Sequence, residues 1–201
     1  MLDTRNVTNM RAMFSACSGL ADLDLTPIDT SKVINMRFMF DGCSGLTSLN
    51  LTNLDTKNVT NMDCMFRGCS GLTALDLSHL DTRNVTSMTS MFYDCSGLTT
   101  LDLSSLNTQK VMDMGYMFSG CTSLTTLNLS FLDTQKVTGM SRMFDDCDKL
   151  TSLSLGEKFA FVGSNYYLSK GTWYASDGTA YTSDGTTCTI PNNKADTYTR
   201  R

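Results

Sequence analysis

The chain has 201 residues, 41% of them hydrophobic, with 16 Lys and Arg against 20 Asp and Glu, and a formal net charge of −4 at pH 7. So mild and scattered a charge excludes a nucleic-acid footprint. No apolar run approaches the length of a membrane span, and no basic-then-apolar export signal opens the chain.

The first recognisable stretch is Met13-Phe14-Ser15-Ala16-Cys17-Ser18-Gly19-Leu20. From Cys17 a cysteine recurs every 26 residues, at Cys43, Cys69, Cys95, Cys121 and Cys147, each preceded by a Met-Phe pair. Six copies in register mean one structural unit repeated and stacked, so residues 1–155 are expected to form an α/β solenoid of six coils. Met1-Leu2-Asp3 falls at a repeat boundary with no segment ahead of it to cap the stack. The chain therefore reads as a fragment of a longer protein, with self-association expected through an uncapped N-terminal coil.

Within a coil, Leu-x-x-Leu-x-Leu comes first, as in Leu72, Leu75 and Leu77. Leu75 and Leu77 alternate around an outward Asp76, the period of a strand with one buried face. The matching pairs are Leu23 and Leu25, Leu49 and Leu51, Leu101 and Leu103, Leu127 and Leu129, Leu153 and Leu155. These are expected to pair into one parallel β ribbon of about 29 Å at about 4.8 Å per coil. Asp-Thr then marks a turn, as in Asp29-Thr30, Asp55-Thr56 and Asp81-Thr82. Met-x-x-Met-Phe-x-x-Cys follows and predicts one or two turns of α or 3₁₀ helix, with Gly42, Gly68 and Gly120 easing the exit. The Met-rich side is core.

The six cysteines in repeat phase point the same way at the coil spacing, a poor disulfide geometry, and read as a column of buried thiols serving as small apolar residues. Cys64 lies outside that column. It shares a position with Ala12, Phe38, Ser90, Tyr116 and Arg142, a set that tolerates anything and is expected to be exposed, as is the set Ser15, Asp41, Arg67, Tyr93, Ser119 and Asp145.

After Leu155 the register ends, and residues 156–201 read as a small β-rich C-terminal cap rich in aromatics. Trp173 to Thr182 is a hairpin about Asp177-Gly178, and Ser183-Asp184-Gly185 offers a second turn. The cap aromatics could also receive a carbohydrate.

Candidate binding residues lie on the outward strand face: Asp24, Asn50, Asp76, Asp102 and Asn128, beside Thr73, Thr99 and Thr125. Repeat proteins often bind across such a ribbon. Calcium, with its several oxygen ligands, fits a bridge between Asp76 and Asp102, while a solvated row accounts for the same residues. Asp145, Asp146 and Asp148 form a second acidic group. Catalysis has little to draw on. The single histidine, His79, shares a loop position with Pro27, Asn53, Ser105 and Phe131, and neither a nucleophile elbow, a P-loop, a dinucleotide fingerprint nor a zinc spacing occurs. No enzyme, cofactor or metal is expected.

The 26-residue unit, Leu-x-x-Leu-x-Leu followed by Asp-Thr-x-x-Val-x-x-Met-x-x-Met-Phe-x-x-Cys, resembles the BspA-like leucine-rich repeat surface proteins of bacteria. The resemblance implies a leucine-rich repeat fold and a secreted or cell-wall-attached, non-catalytic protein. Its expected partners are host or bacterial surface proteins or glycans, with neither nucleic acid nor membrane insertion involved. A structural spacer or self-assembling segment of a larger surface protein is the alternative.

Overall fold

In the computed structural model, which describes residues 3–201, the 26-residue units lie on one another as parallel coils. A column of isolated parallel bridges records the stacking: Asn9 to Asn35, Asn35 to Asn61, Asn61 to Ser87, Ser87 to Asp113, and Asp113 to Gly139. What joins the coils differs from the sequence expectation.

The Met-Phe segment is a run of turns. Met10, Ala12, Phe14 and Ala16 donate their N–H groups to the carbonyls of Asn35, Arg37, Met39 and Asp41 in the next coil. The alternate N–H groups of Met13, Ser15 and Cys17 close turns onto Met10, Ala12 and Phe14. A helix would send successive N–H groups to the carbonyl four residues back. Here every second one leaves the coil, which demands a backbone that changes hand. Ala12, Phe38, Cys64, Ser90, Tyr116 and Arg142 all have φ between 55° and 61°, and Ala16, Gly42, Gly68, Asp94, Gly120 and Asp146 between 56° and 77°.

The expected α/β leucine-rich repeat solenoid is thereby overturned. The described residues contain no helix, and the strands form a single mixed five-stranded sheet, so the chain is all-β. The continuous parallel ribbon is also absent. Regular pairing joins only β1 (Thr126–Leu129) and β2 (Ser152–Leu155). In every earlier coil the outward Asp or Asn takes the N–H two residues on, as Asp76 takes that of Ser78 at 2.9 Å. Asn128 makes the same bond to the N–H of Ser130 although it lies in β1, so this bond turns the chain in each of these coils without deciding where a strand forms.

The leucines are nonetheless core, and with them three buried columns run the length of the stack. Phe14, Phe40, Phe66, Phe92, Phe118 and Phe144 lie ring over ring at 5.7 to 6.2 Å. Each threonine of the Asp-Thr pairs bridges two coils: the Thr82 hydroxyl accepts the N–H of Asn107 at 2.8 Å and donates to the Asn107 carbonyl at 3.0 Å. The column cysteines do more than fill space. Cys43, Cys69, Cys95, Cys121 and Cys147 donate their thiols to the carbonyls of Phe14, Phe40, Phe66, Phe92 and Phe118 at 3.0 to 3.2 Å. Cys17 in the first coil is exposed. Cys64, expected outside, is 7% exposed, its thiol lying among the charges of Arg37, Asp41, Asp63 and Arg67, whereas Ala12 and Tyr116 with the same left-handed backbone are exposed.

Beyond β2, β3 (Gly171–Tyr174) and β4 (Ala180–Ser183) form the hairpin read from sequence, turning at Asp177-Gly178. β5 (Asp196–Arg200) inserts antiparallel between β2 and β3, completing the order β1-β2-β5-β3-β4. Phe161 meets Phe144 edge-on at 6.3 Å and ends the ring column. Trp173 and Tyr198 are fully buried, and the Trp173 indole donates to the Ser169 carbonyl at 3.1 Å.

Candidate binding face

The outward side of the leucine segments carries the residues picked from sequence. Asp24, Asn50, Asp76, Asp102 and Asn128 are all exposed. Each accepts the N–H two residues on, from Thr26, Thr52, Ser78, Ser104 and Ser130, at 2.8 to 3.0 Å. Their first task is to hold the turn.

These same bonds set the charge of the row. The backbone N–H and hydroxyl of Thr26 and of Ser104 hold the carboxyls of Asp24 and Asp102 below the usual range. The hydroxyl of Ser78, then its N–H, does so for Asp76. Asp76 in turn opposes the ionisation of Asp102, as adjacent like charges must. The local hydrogen bonds win, and the row is anionic at neutral pH.

Thr73, Thr99 and Thr125 are exposed beside it, with the Thr99 hydroxyl on the Thr73 carbonyl at 3.3 Å. The row closes at Ser154, whose hydroxyl meets that of Thr197 in β5 at 2.8 Å. Among the described residues no three His, Cys, Asp or Glu side chains converge as a metal site would require, so a cation between Asp76 and Asp102 would have few protein ligands.

The structure adds a residue that sequence reading left among loop positions. Phe131 is 55% exposed. It walls a shallow depression of about 460 Å³ lined also by Thr100, Asp102, Ser104, Thr126 and Asn128. A second depression of about 280 Å³, with Asp133 and Lys158, lies on its other side. The geometry therefore joins Asp102 and Asn128 to an aromatic platform. Asp24 and Asn50, in earlier coils, face no such ring. The signal available in sequence was Phe131 as the sole aromatic among Pro27, Asn53, His79, Ser105 and Phe131. No helix in the described residues is long and apolar enough to cross a membrane.

A family described as "Mycoplasma protein of unknown function, DUF285" matches residues 1–96 and, in a second overlapping register, residues 65–158. The two matches cover the repeats and stop where the C-terminal β unit begins. No curated protein and no solved structure matches the chain. With more than half of its length covered, the chain belongs to the DUF285 family.

Proposed function

We propose that the chain is a non-catalytic binding module of a bacterial surface protein, similar to the BspA-like proteins, secreted or attached to the cell wall. The face that carries the outward Asp and Asn row serves adhesion to a surface protein or a glycan. The observation that carries this reading is Phe131, half exposed between two shallow depressions and beside the ionised Asp102 and the amide of Asn128. An exposed ring next to fixed polar groups offers stacking and hydrogen bonds to a polar ligand. The test is binding of the chain and of Phe131→Ala to arrays of surface glycans and matrix proteins. Retention on at least one ligand, lost by at least tenfold in Phe131→Ala at unchanged melting temperature, is expected. No binding by either protein, or equal binding by both, refutes the site.

A spacer role is the second reading, favoured by the unbroken inter-coil ladder from Met10 to Asp145. Association through the first coil belongs to it, since Val7, Met13, Phe14, Leu20 and Leu23 are only partly covered there. Mutual protection of Cys17 from thiol reagents at high protein concentration would support that contact, and concentration-independent labelling would remove it.

A further inference from the structure

A different face, formed by the turns of the Met-Phe segment, carries a continuous line of guanidinium groups and rings. Arg11, Arg37 and Arg67 converge on Phe38, with their guanidinium carbons 5.6, 4.7 and 5.2 Å from the ring centre. Tyr93 and Tyr116 follow at 6.2 Å from one another. Arg142 then lies 4.9 Å over Tyr167. Arginine and tyrosine in a fixed array are the side chains that most often anchor protein interfaces.

The charges along this line are not evenly spent. Arg67 is bound to Asp41 at 2.6 and 3.0 Å, and Arg142 to Asp145 at 2.8 Å. Among the described residues Arg11 has no acidic partner, while Asp94 and Asp146 have no basic one. The unspent positive charge sits in the first coil and the unspent negative charge in the fourth and sixth. Gly120 separates the two carboxylates in the intervening coil, and the Asp94 carboxylate lies over its Cα. Burial and then the charge of Asp146 push the Asp94 carboxyl up, against a smaller pull down from Arg67 of the same chain, and a further cation would relieve that cost.

We propose that this face pairs with the same face of a second copy, antiparallel. With the two-fold axis between the third and fourth coils, coil one faces coil six, coil two faces coil five, and coil three faces coil four. Arg11 then meets Asp146 of its partner, Phe38 meets Tyr116, and Arg67 meets Tyr93 and Asp94. Arg142, in the coil that faces Arg11, is already held by Asp145, so the unspent charges of that rung are opposite, and each rung occurs twice, as an isologous interface requires. A two-fold axis along the stack would instead face coil one with coil one and coil six with coil six, gathering the unspent positive charges at one end and the unspent negative charges at the other, which disfavours it. The six coils span about 29 Å, so the interface falls in the small, polar class of weak associations. This pairing is independent of the Asp and Asn face and of the ligand assigned there.

Sedimentation equilibrium of the whole chain from about 10 µM to about 1 mM tests it, at about 50 mM and about 500 mM salt. A monomer–dimer equilibrium is expected at low salt, weakened at least tenfold at high salt. Arg11→Glu and Asp146→Arg should each abolish the dimer, and the double variant Arg11→Glu/Asp146→Arg should restore it. Arginine at 146 is compatible with the backbone, since Arg142 already occupies the same left-handed region with φ 55°. Near-ultraviolet circular dichroism checks that each variant folds, and Tyr116→Ala, at an exposed ring, gives a charge-neutral second disruption. A monomer at the highest concentration in low salt overturns the proposal. So does a dimer indifferent to both single substitutions, or a folded double variant that stays monomeric.

Discussion

The thiol column predicts a steep loss of stability in mild alkali. Cys43, Cys69, Cys95, Cys121 and Cys147 are buried. Burial, as the first cause, pushes each above the usual 9.0, with Cys69 reaching about 12. A raised pKa in the folded state means that the native chain keeps protons which the unfolded chain releases. Stability is therefore fully present below about pH 9 and falls as pH rises from there towards the folded values. At about pH 10 each thiol held well above that pH costs on the order of 1 kcal/mol, and the column together costs several kcal/mol. That is comparable with the whole stability of an ordinary domain. Urea unfolding followed by circular dichroism, at intervals between about pH 8 and about pH 10, should show a collapsing midpoint. Tyr198, which burial raises to about 12 from the usual 10.0, adds to the loss only above that window. Burial raises Cys64 and Cys188 as well, so Cys95→Ala should remove roughly one seventh of the slope. A midpoint independent of pH across this range, or a slope unchanged in Cys95→Ala, would refute the assignment of the column as buried proton-bound thiols.

Other perturbations test separate columns. Phe92→Ala opens a gap between Phe66 and Phe118 and should cost about 3 to 5 kcal/mol in urea unfolding. Thr82→Val keeps the shape but strands the N–H and carbonyl of Asn107, for a loss of about 2 to 4 kcal/mol. At one position of the repeat, Gly97→Ala would press a Cβ within 2.8 Å of the Leu72 carbonyl, whereas Gly19 has open space. The first should lower stability by at least about 2 kcal/mol and the second by under about 0.5 kcal/mol, compared as melting temperatures of the two proteins. Ser90→Gly relieves a φ of 56° and, after the extra entropy of an unfolded glycine, should raise stability by up to about 1 kcal/mol. A lower melting temperature there would contradict the left-handed backbone.

The period and the inward residues were legible because each inward position repeats its chemistry. Val, Met, Met-Phe, Cys and the leucines recur at fixed spacing, and the coils after the first place them inside. The direction of the hydrogen bonds was not legible. Met-x-x-Met-Phe-x-x-Cys satisfies the spacing of a short helix, and only the left-handed residues at Ala12 and Ala16 and their equivalents send alternate N–H groups to the next coil. Gly42, Gly68 and Gly120 marked one of those two positions, while the other contains no glycine at all. Cys64 was concealed differently: a position without a common residue type reads as exposed, yet in this coil the charged side chains of Arg37, Asp63 and Arg67 surround a small one. Along the leucine segments, Asp76 and its equivalents were found on the correct face. Their commitment to the N–H two residues on, which Asn128 shares inside β1, needed the backbone of the coil to be seen.

These two left-handed positions divide the surface into backbone-determined and side-chain-determined parts. Ala16, Gly42, Gly68, Asp94, Gly120 and Asp146 are the residue types that such a conformation demands or tolerates most readily, Ala16 apart. Ala12, Phe38, Cys64, Ser90, Tyr116 and Arg142 adopt a similar conformation at about 1 to 2 kcal/mol each, although glycine would relieve every one of them. Across six coils that conformational cost approaches the net stability of a domain. Part of it is offset where the side chains find partners: Phe38 beneath three guanidinium groups, Tyr116 against Tyr93, Arg142 between Asp145 and Tyr167. Those partners all lie on one face, and they run across coil boundaries. A ladder built from backbone alone would need none of them, so the side chains at this position are explained by the contacts they make with one another across the coils, and the stack beneath supplies the regular spacing at which they meet.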